Sequence, residues 1–329
     1  MTRAVQISRT GGADVLNFVE VPMPQPQAGQ VRVRIQAIGL NRAEVLFRSG
    51  RYIEPTRLPA RIGYEAAGLI DAVGPAVEAF KPGDAVSVIP AFSMNDFGVY
   101  AEQAVVPVSA VLERPARLDA IQSAAVWMAF LTSYGALVDI GGLARGDAVV
   151  IQAASSSVGL AAIQIANRIG AMPIATTRDA GKRERLLAAG ATHVFLAGEG
   201  NVAEEVMRVT GGRGARIVFD PVGGAGTEAL AQAMTAGGVF FLYGNLSGMP
   251  AIFPRRMIKM GQSMRGYLVF EIAGNAARLA RAQAYIVEGL QCGQFSPAID
   301  STFPFERIAD AHRYIESNRQ FGKVVVTVP

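Results

Sequence analysis

The sequence predicts an α/β protein of two parts, a β-rich domain and a doubly wound parallel sheet. Three observations predict it. Short apolar runs punctuated by Pro and Gly fill the chain to about residue 120. Near residue 121 the apolar period becomes helical, and from 147 to about 270 strand-like and helix-like stretches alternate. From about 275 two helical patterns precede a strand-like run at the very end. A final strand that returns to the first part makes that part discontinuous, with 121–274 inserted between 1–120 and 275–329.

The elements follow in order. Residues 4–7, 17–21, 30–40, 67–73 and 84–88 read as strands, set off by Pro22, Pro24, Pro26, Gly29, Pro82 and Gly83. Residues 43–50 read as one or two helical turns. This spacing predicts a compact, partly open barrel. Residues 121–137 are apolar at helical spacing. Strands are then expected at 148–153, 173–177, 193–196, 217–220, 239–243 and 264–269. Helices are expected between them at 160–168, 180–188, 202–210 and 227–234, with a shorter one near Met257. A helix at 276–290, a second at 306–316 and a strand at 323–328 complete the chain.

Bulk properties bound the function. The chain has 329 residues, enough for two domains with substantial cores. Its net charge of +4 comes from interspersed signs without a dense Lys/Arg block, so no nucleic-acid partner is expected. Arg255, Arg256 and Lys259 form the nearest basic cluster and read as a solvated helix face. Cys292 is the only cysteine, which excludes an intramolecular disulfide and a multi-cysteine zinc lobe and fits a reducing cytoplasm. MTRAVQISRTGG carries no apolar signal core, and Gly, Arg or Asp interrupts each apolar stretch within about 18 residues. No secretory signal, no transmembrane helix and no membrane partner are expected.

Residues 147–182 carry the chemistry. An apolar run leads into a small-residue loop, the loop opens a helix, and a second apolar run ends at Thr176 and Thr177. This is the layout of a βαβ dinucleotide-binding unit, in which a pyrophosphate sits on helix N-terminal N–H groups. Of the expected G-x-G-x-x-G only the last glycine stands, within Ala154-Ser155-Ser156-Ser157-Val158-Gly159. The serines give up the φ freedom of glycine and offer hydroxyls to phosphate oxygens. At the end of the second strand an acid would suit the ribose hydroxyls of NAD. Thr177 stands there instead, followed by Arg178 and Lys182, which suits the 2′-phosphate of NADP. Cations near a helix start oppose its dipole, and a phosphate removes that objection.

An ordered set of motifs then runs through the chain: GYEAAGLIDAVG (63–74), FKPGDAVSV (80–88), AAVWMAFLTSYGAL (124–137), AASSSVGLAAIQIA (153–166), VFDPVGG (218–224) and FGKVVV (321–326). The set resembles the medium-chain dehydrogenase/reductase superfamily, most of all its zinc-independent quinone oxidoreductase branch, over essentially the whole chain. The resemblance implies a GroES-like catalytic domain around a Rossmann domain. It implies NADPH as cofactor, held by Ser156, Ser157, Val158 and Gly159 at the pyrophosphate and by Thr177, Arg178 and Lys182 at the 2′-phosphate. Thr132, Val222, Gly244, Asn245, Tyr267, Leu268 and Val269 match segments near the nicotinamide. Phe321, Gly322 and Lys323 match a C-terminal cofactor loop. A homodimer through the sixth Rossmann strand, near residues 264–270, is also implied.

Departures from the zinc enzymes of that superfamily set the chemistry. Their three ligand slots hold Asn41, Tyr64 and Met128 here, and these residue types do not make a Zn²⁺ site. His193 and His312 are far apart in sequence and read as surface or packing residues. No catalytic metal is expected. A quinone or enone spreads the charge that arrives with hydride, so one or two hydrogen-bond donors suffice at its oxygen. Asn41, Tyr52 and Tyr64 are the candidate donors, and Phe92 and Phe97 candidate walls. The resulting expectation is a quinone or enone reductase, with the final proton from a side chain or from solvent. An enoyl-thioester reductase, an atypical alcohol dehydrogenase and a non-catalytic structural or RNA-binding relative are the alternatives.

Overall fold

The structure, a computed structural model, describes residues 1–198 and 200–329. The chain divides into two compact units, Met1–Met128 with Pro297–Pro329, and Ala129–Ser296. Both crossings come later than the sequence reading places them, at 128 and 296 in place of 120 and 274. The reason lies in the helix Ala276–Gln291, which belongs to the second unit. There the Arg168 guanidinium lies 4.3 Å from the ring centroid of Tyr285, and Asp139 accepts from Arg278 and Arg281.

In the first unit, Asn17–Val21, Thr2–Ile7 and Ala60–Arg61 form a three-stranded sheet. A seven-stranded sheet runs in the order Ile299–Pro304, Lys323–Thr327, Gln30–Gly39, Glu65–Val73, Ala85–Val88 and Val111–Glu113. Gln103–Pro107 pairs with Gln30–Gly39 off that path. Val31, Val33, Ile35 and Ala37 are buried at the two-residue period of a half-buried strand. The register slips between Ile35 and Ala37, opposite Gly68, where a Cβ would come 2.1 Å from the Arg34 carbonyl oxygen. Beyond the slip Gly39 faces Glu65 on one side and Val325 on the other. The last strand therefore lies inside the first unit's sheet, and its start is brought beside Glu65 and Asn41.

The second unit holds a six-stranded parallel sheet. Its order is His193–Leu196, Met172–Thr177, Ala148–Ile151, Ala215–Asp220, Met234–Leu242 and Ser263–Gly266. Val150, Ile174, Val218, Phe240 and Val206 share its core. Strand order reverses between Ala148–Ile151 and Ala215–Asp220, which opens a crevice at their carboxyl ends. The sixth strand stops at Gly266 rather than 269, and Phe270–Ala273 turns into a helix. The helix expected at 227–234 ends at Gln232, because Met234 already belongs to the fifth strand. Among the described residues one helical stretch, Ala120–Ile140, is long and apolar enough to cross a membrane, where the sequence reading expects none; 83% of its apolar 18-residue window is buried inside the protein, as in a core helix.

Candidate functional site

In the second unit the first strand ends at Ile151, and the Gln152 N–H donates to the Phe219 carbonyl across the crevice, at 3.0 Å. The tight turn that glycine would make falls to Ala153, held at φ +49°, in the left-handed region. None of the three serines has a positive φ, so the conformational cost falls on Ala153, two residues before the first serine. Ser156 caps the 13-residue helix Ser157–Ile169, its Oγ accepting from the Gly159 N–H at 3.0 Å. The N–H groups of Ser157 and Val158 precede any carbonyl one turn back in that helix, so they face outward as anion donors. Gly159 keeps the role of the last fingerprint glycine: a Cβ there would lie 2.6 Å from Ala154 backbone atoms.

The loop is tied to the end of the second strand. The Ala154 N–H donates to the Thr176 carbonyl at 3.1 Å, and Thr176 Oγ1 donates to Gln152 Oε1 at 2.5 Å. Thr177 is buried and its Oγ1 accepts from the Asp179 N–H at 3.2 Å. The nearby acid, Asp179, turns back to accept from the Gly181 N–H at 2.9 Å. Arg178 stands exposed in solvent. Lys182 is only 6% exposed, and its ammonium donates to Ser155 Oγ at 3.4 Å. Helix N-terminal N–H groups, hydroxyls, Arg178 and Lys182 suit a phosphorylated dinucleotide, and Thr177 rather than an acid ends the second strand.

Other residues matched to the cofactor lie in the same unit. Asp220 ends the fourth strand buried, accepting from the N–H groups of Val222 at 2.7 Å and Gly223 at 3.1 Å. Burial pushes its carboxyl up, and these donors oppose the shift. A Cβ on Gly244 would come 2.8 Å from the Pro221 carbonyl oxygen, and Asn245 is exposed. Thr132, Tyr267 and Val269 are buried, Leu268 is exposed, and the Tyr267 hydroxyl donates to the Leu131 carbonyl at 3.3 Å.

In the first unit the structure brings together a charged cluster. Asn41 is the N-cap of the helix Arg42–Arg48, and its N–H donates to Glu44 Oε2 at 2.7 Å. Its amide donates to the Gly39 carbonyl at 3.1 Å and to Glu44 Oε1 at 3.2 Å, and its Oδ1 accepts from Lys323 Nζ at 2.6 Å. Lys323 also pairs with Glu65, which accepts from the Met128 N–H at 3.0 Å. Glu44 accepts from the Tyr64 N–H at 3.1 Å. Burial pushes the Glu44 carboxyl up to about 7, with Lys323 and its hydrogen-bond donors pulling the other way.

This geometry engages two of the expected site residues within the cluster. Asn41 is buried with both amide hydrogens already donated, so it supports the site and has no hydrogen left for a substrate. The Lys323 side chain is 1% exposed and turned into the cluster, onto Asn41 and Glu65. Gly39 leaves room for that stem, since a Cβ there would lie 2.7 Å from Lys323 Cε and 1.8 Å from the Ala124 carbonyl oxygen. Its neighbours are different: Phe321 is buried with its N–H on Asp300 Oδ1 at 2.9 Å, and Gly322 sits at φ +115° against the Ala298 carbonyl.

Beside the cluster runs a row of rings. Centroids lie 6.3 Å apart for Phe47–Tyr52, 6.3 Å for Tyr52–Tyr64, 5.7 Å for Tyr64–Phe92 and 5.8 Å for Phe92–Phe97. Tyr64 is fully buried, whereas Tyr52 is partly exposed. Burial pushes the Tyr52 hydroxyl up to about 12, and a hydrogen bond from Tyr64 opposes that shift; Tyr64 itself is pushed far up by burial. His312 is buried with Nε2 3.0 Å from the Tyr100 hydroxyl, and burial lowers its pKa to about 3. Among the described residues no group of three His, Cys, Asp or Glu could hold a metal ion.

Sequence reasoning missed Glu44, Glu65 and Ser155. Glu44 had a signal, since Asn41-Arg42-Ala43-Glu44 is a capping-box pattern. Glu65 and Ser155 stand inside quoted motifs, but their partners, Lys323 and Lys182, are distant in sequence and no local spacing points to them.

Comparison with known proteins agrees with this architecture. Residues 27–116 match the alcohol dehydrogenase GroES-like domain, and residues 157–283 match the zinc-binding dehydrogenase family. A quinone oxidoreductase of Lama guanicoe is 31% identical over 328 residues, spanning 99% of this chain and 97% of that one. The Escherichia coli quinone oxidoreductase complexed with NADPH superposes with a TM-score of 0.90 at 26% identity, over 99% of each chain. A NAD-dependent alcohol dehydrogenase superposes with a TM-score of 0.89 at 32% identity, over 99% of this chain and 100% of that one. The chain belongs to the medium-chain dehydrogenase/reductase superfamily, in its quinone oxidoreductase-like branch.

Proposed function

We propose that this oxidoreductase is an NADPH-dependent reductase of quinones or α,β-unsaturated carbonyls that works without a catalytic metal. The observation that carries the proposal is Lys182, buried just beyond the end of the second strand with its ammonium on Ser155, while Thr177 fills the slot that an NAD-binding acid would take. NADPH, when bound, supplies the hydride. Ser156, Ser157, Val158 and Gly159 hold its pyrophosphate, and Thr177, Arg178 and Lys182 its 2′-phosphate. Tyr52 donates to the substrate oxygen that gains charge, and stays protonated because its pKa is pushed up to about 12. Tyr64 orients Tyr52, Phe92 and Phe97 keep water out, and solvent returns the final proton. The cluster supports the metal-free part, because Asn41 Oδ1 already binds an ammonium and a second cation there would be repelled. A homodimer in the cytoplasm is part of the proposal; Ser263–Gly266, last in its sheet, has one edge to offer a second copy.

Binding titrations of NADPH and NADH test the cofactor half. The wild type binds NADPH far more tightly, and Arg178→Ala with Lys182→Ala removes the preference. A preference that survives the double variant overturns the phosphate assignment. NADPH oxidation with a panel of quinones, alkenals and enones tests the substrate half, and inactivity across the panel overturns it. Stoichiometric zinc in the active enzyme would return the alcohol dehydrogenase reading.

A further inference from the structure

The serines that replace the fingerprint glycines do different things. Ser156 caps the helix, with Oγ accepting from the Gly159 N–H. Ser157 is the first residue of that helix. Ser155 neither caps nor begins a helix; its Oγ accepts from the Lys182 ammonium, 27 positions away. A lysine stem has four rotatable bonds, and an unanchored one loses much of that freedom on meeting an anion. The backbone beside each partner is fixed independently, by Ala154 N–H on the Thr176 carbonyl next to Ser155 and by the Lys182 N–H on the Asp179 carbonyl. The loop and the second strand therefore present Ser155 and Lys182 to each other as one prearranged unit. A serine oxygen that accepts from an ammonium still has its own hydrogen to donate, and a phosphate oxygen takes donors from both.

We infer that Ser155 is a positioning and specificity-determining residue: it holds the Lys182 ammonium where a ribose 2′-phosphate binds and so raises the preference for NADPH over NADH. The inference rests on the NADPH reading above. It assigns Ser155 to the phosphate that distinguishes the two cofactors, whereas the rest of the loop serves the pyrophosphate that they share.

Dissociation constants for NADPH, NADH, 2′,5′-ADP and 5′-AMP, measured by calorimetry on the full chain, test it without turnover. Ser155→Ala is expected to weaken NADPH and 2′,5′-ADP by roughly 3- to 10-fold and to leave NADH and 5′-AMP within about 2-fold. Ser155→Thr keeps the hydroxyl and is expected to keep the preference. In a Lys182→Ala background Ser155→Ala is expected to change the NADPH-to-NADH ratio no further, because the effect runs through the lysine. Equal weakening of both cofactors would make Ser155 a loop-packing residue and overturn the inference, as would an unchanged ratio in Ser155→Ala. Circular dichroism and the thermal midpoint of each variant identify a misfolded loop, and Ser155→Gly then supplies the hydroxyl-free comparison. A wild type that shows no preference for NADPH overturns the cofactor reading itself; a preferring wild type whose ratio survives Ser155→Ala overturns only the role of Ser155.

Discussion

Lys323→Met removes the ammonium from the first unit's charged cluster and keeps most of the side-chain volume. Lys323 is 1% exposed and Glu65 is fully buried, so no water replaces the lost partner. Glu65 keeps one donor, the Met128 N–H, and Asn41 Oδ1 loses the ammonium that it accepted from. Breaking a buried ion pair from one side costs about 3–5 kcal/mol, mostly from the charge left behind. Replacing both partners is far milder, so Lys323→Met with Glu65→Gln is expected to recover at least about half of that loss. Urea unfolding measures both. Trp127 is the chain's only tryptophan and is fully buried in the first unit, so its fluorescence reports the relevant part. The single variant should move the midpoint with little change in slope. A loss below about 1 kcal/mol in the single variant, or a double variant less stable than the single, would refute the view that Lys323 compensates Glu65.

Three further outcomes follow from particular residues. Burial raises the Glu44 carboxyl from 4.5 to about 7, so the folded state binds this proton more tightly than the unfolded one; its cost is absent below about 4.5, grows up to about 7 and is fully present above, on the order of 3 kcal/mol. Glu44→Gln should therefore flatten the fall in urea-measured stability between pH 5 and pH 8. Ala153→Gly relieves a left-handed alanine at φ +49° and should raise stability by about 1 kcal/mol in the same assay, against the usual trend for glycine. Tyr52→Phe should lower kcat/KM for quinone by roughly 100-fold while NADPH binding stays unchanged, which a general loss of packing would not do.

The large-scale pattern was legible because periodicity reports burial directly. Strands buried on both faces read as continuous apolar runs, as Ala148–Ile151 does, and strands with one solvated face alternate. The phosphate loop was legible in place and less so in conformation. Sequence marks where a turn must be tight, and the structure shows that Ala153, not a serine, takes the left-handed backbone. The apolar period marks the helix Ala276–Gln291 almost to its ends without marking the unit that it packs in. Its period says which face is buried without saying what covers that face, and its anchors, Arg168 and Asp139, lie more than a hundred residues upstream. The same limit hid the cluster. Asn41, Glu65 and Lys323 meet only because Gly39 pairs with Glu65 on one strand and with Val325 on another.

The charge balance of that cluster bears on the proposed chemistry. Two buried carboxylates, Glu44 and Glu65, share one ammonium. Glu65 takes the ammonium directly, and Glu44 receives only its longer-range field, which is why burial prevails there and its pKa rises. With Glu44 protonated the cluster is neutral, and the Asn41 oxygen already bonds to Lys323. A divalent cation placed among the Asn41, Tyr64 and Met128 slots would meet that ammonium at close range and would be balanced only if Lys323 gave up its proton or left the cluster. Strengthening the substrate's oxygen with a hydrogen bond carries no such conflict, since a neutral tyrosine hydroxyl changes no charge. Tyr52, partly exposed and with its ring centroid 6.3 Å from that of the buried Tyr64, is the donor proposed for that role. The first unit thus keeps a buried positive charge as an internal counter-ion, and the proposed reductase chemistry rests on a neutral donor beside it.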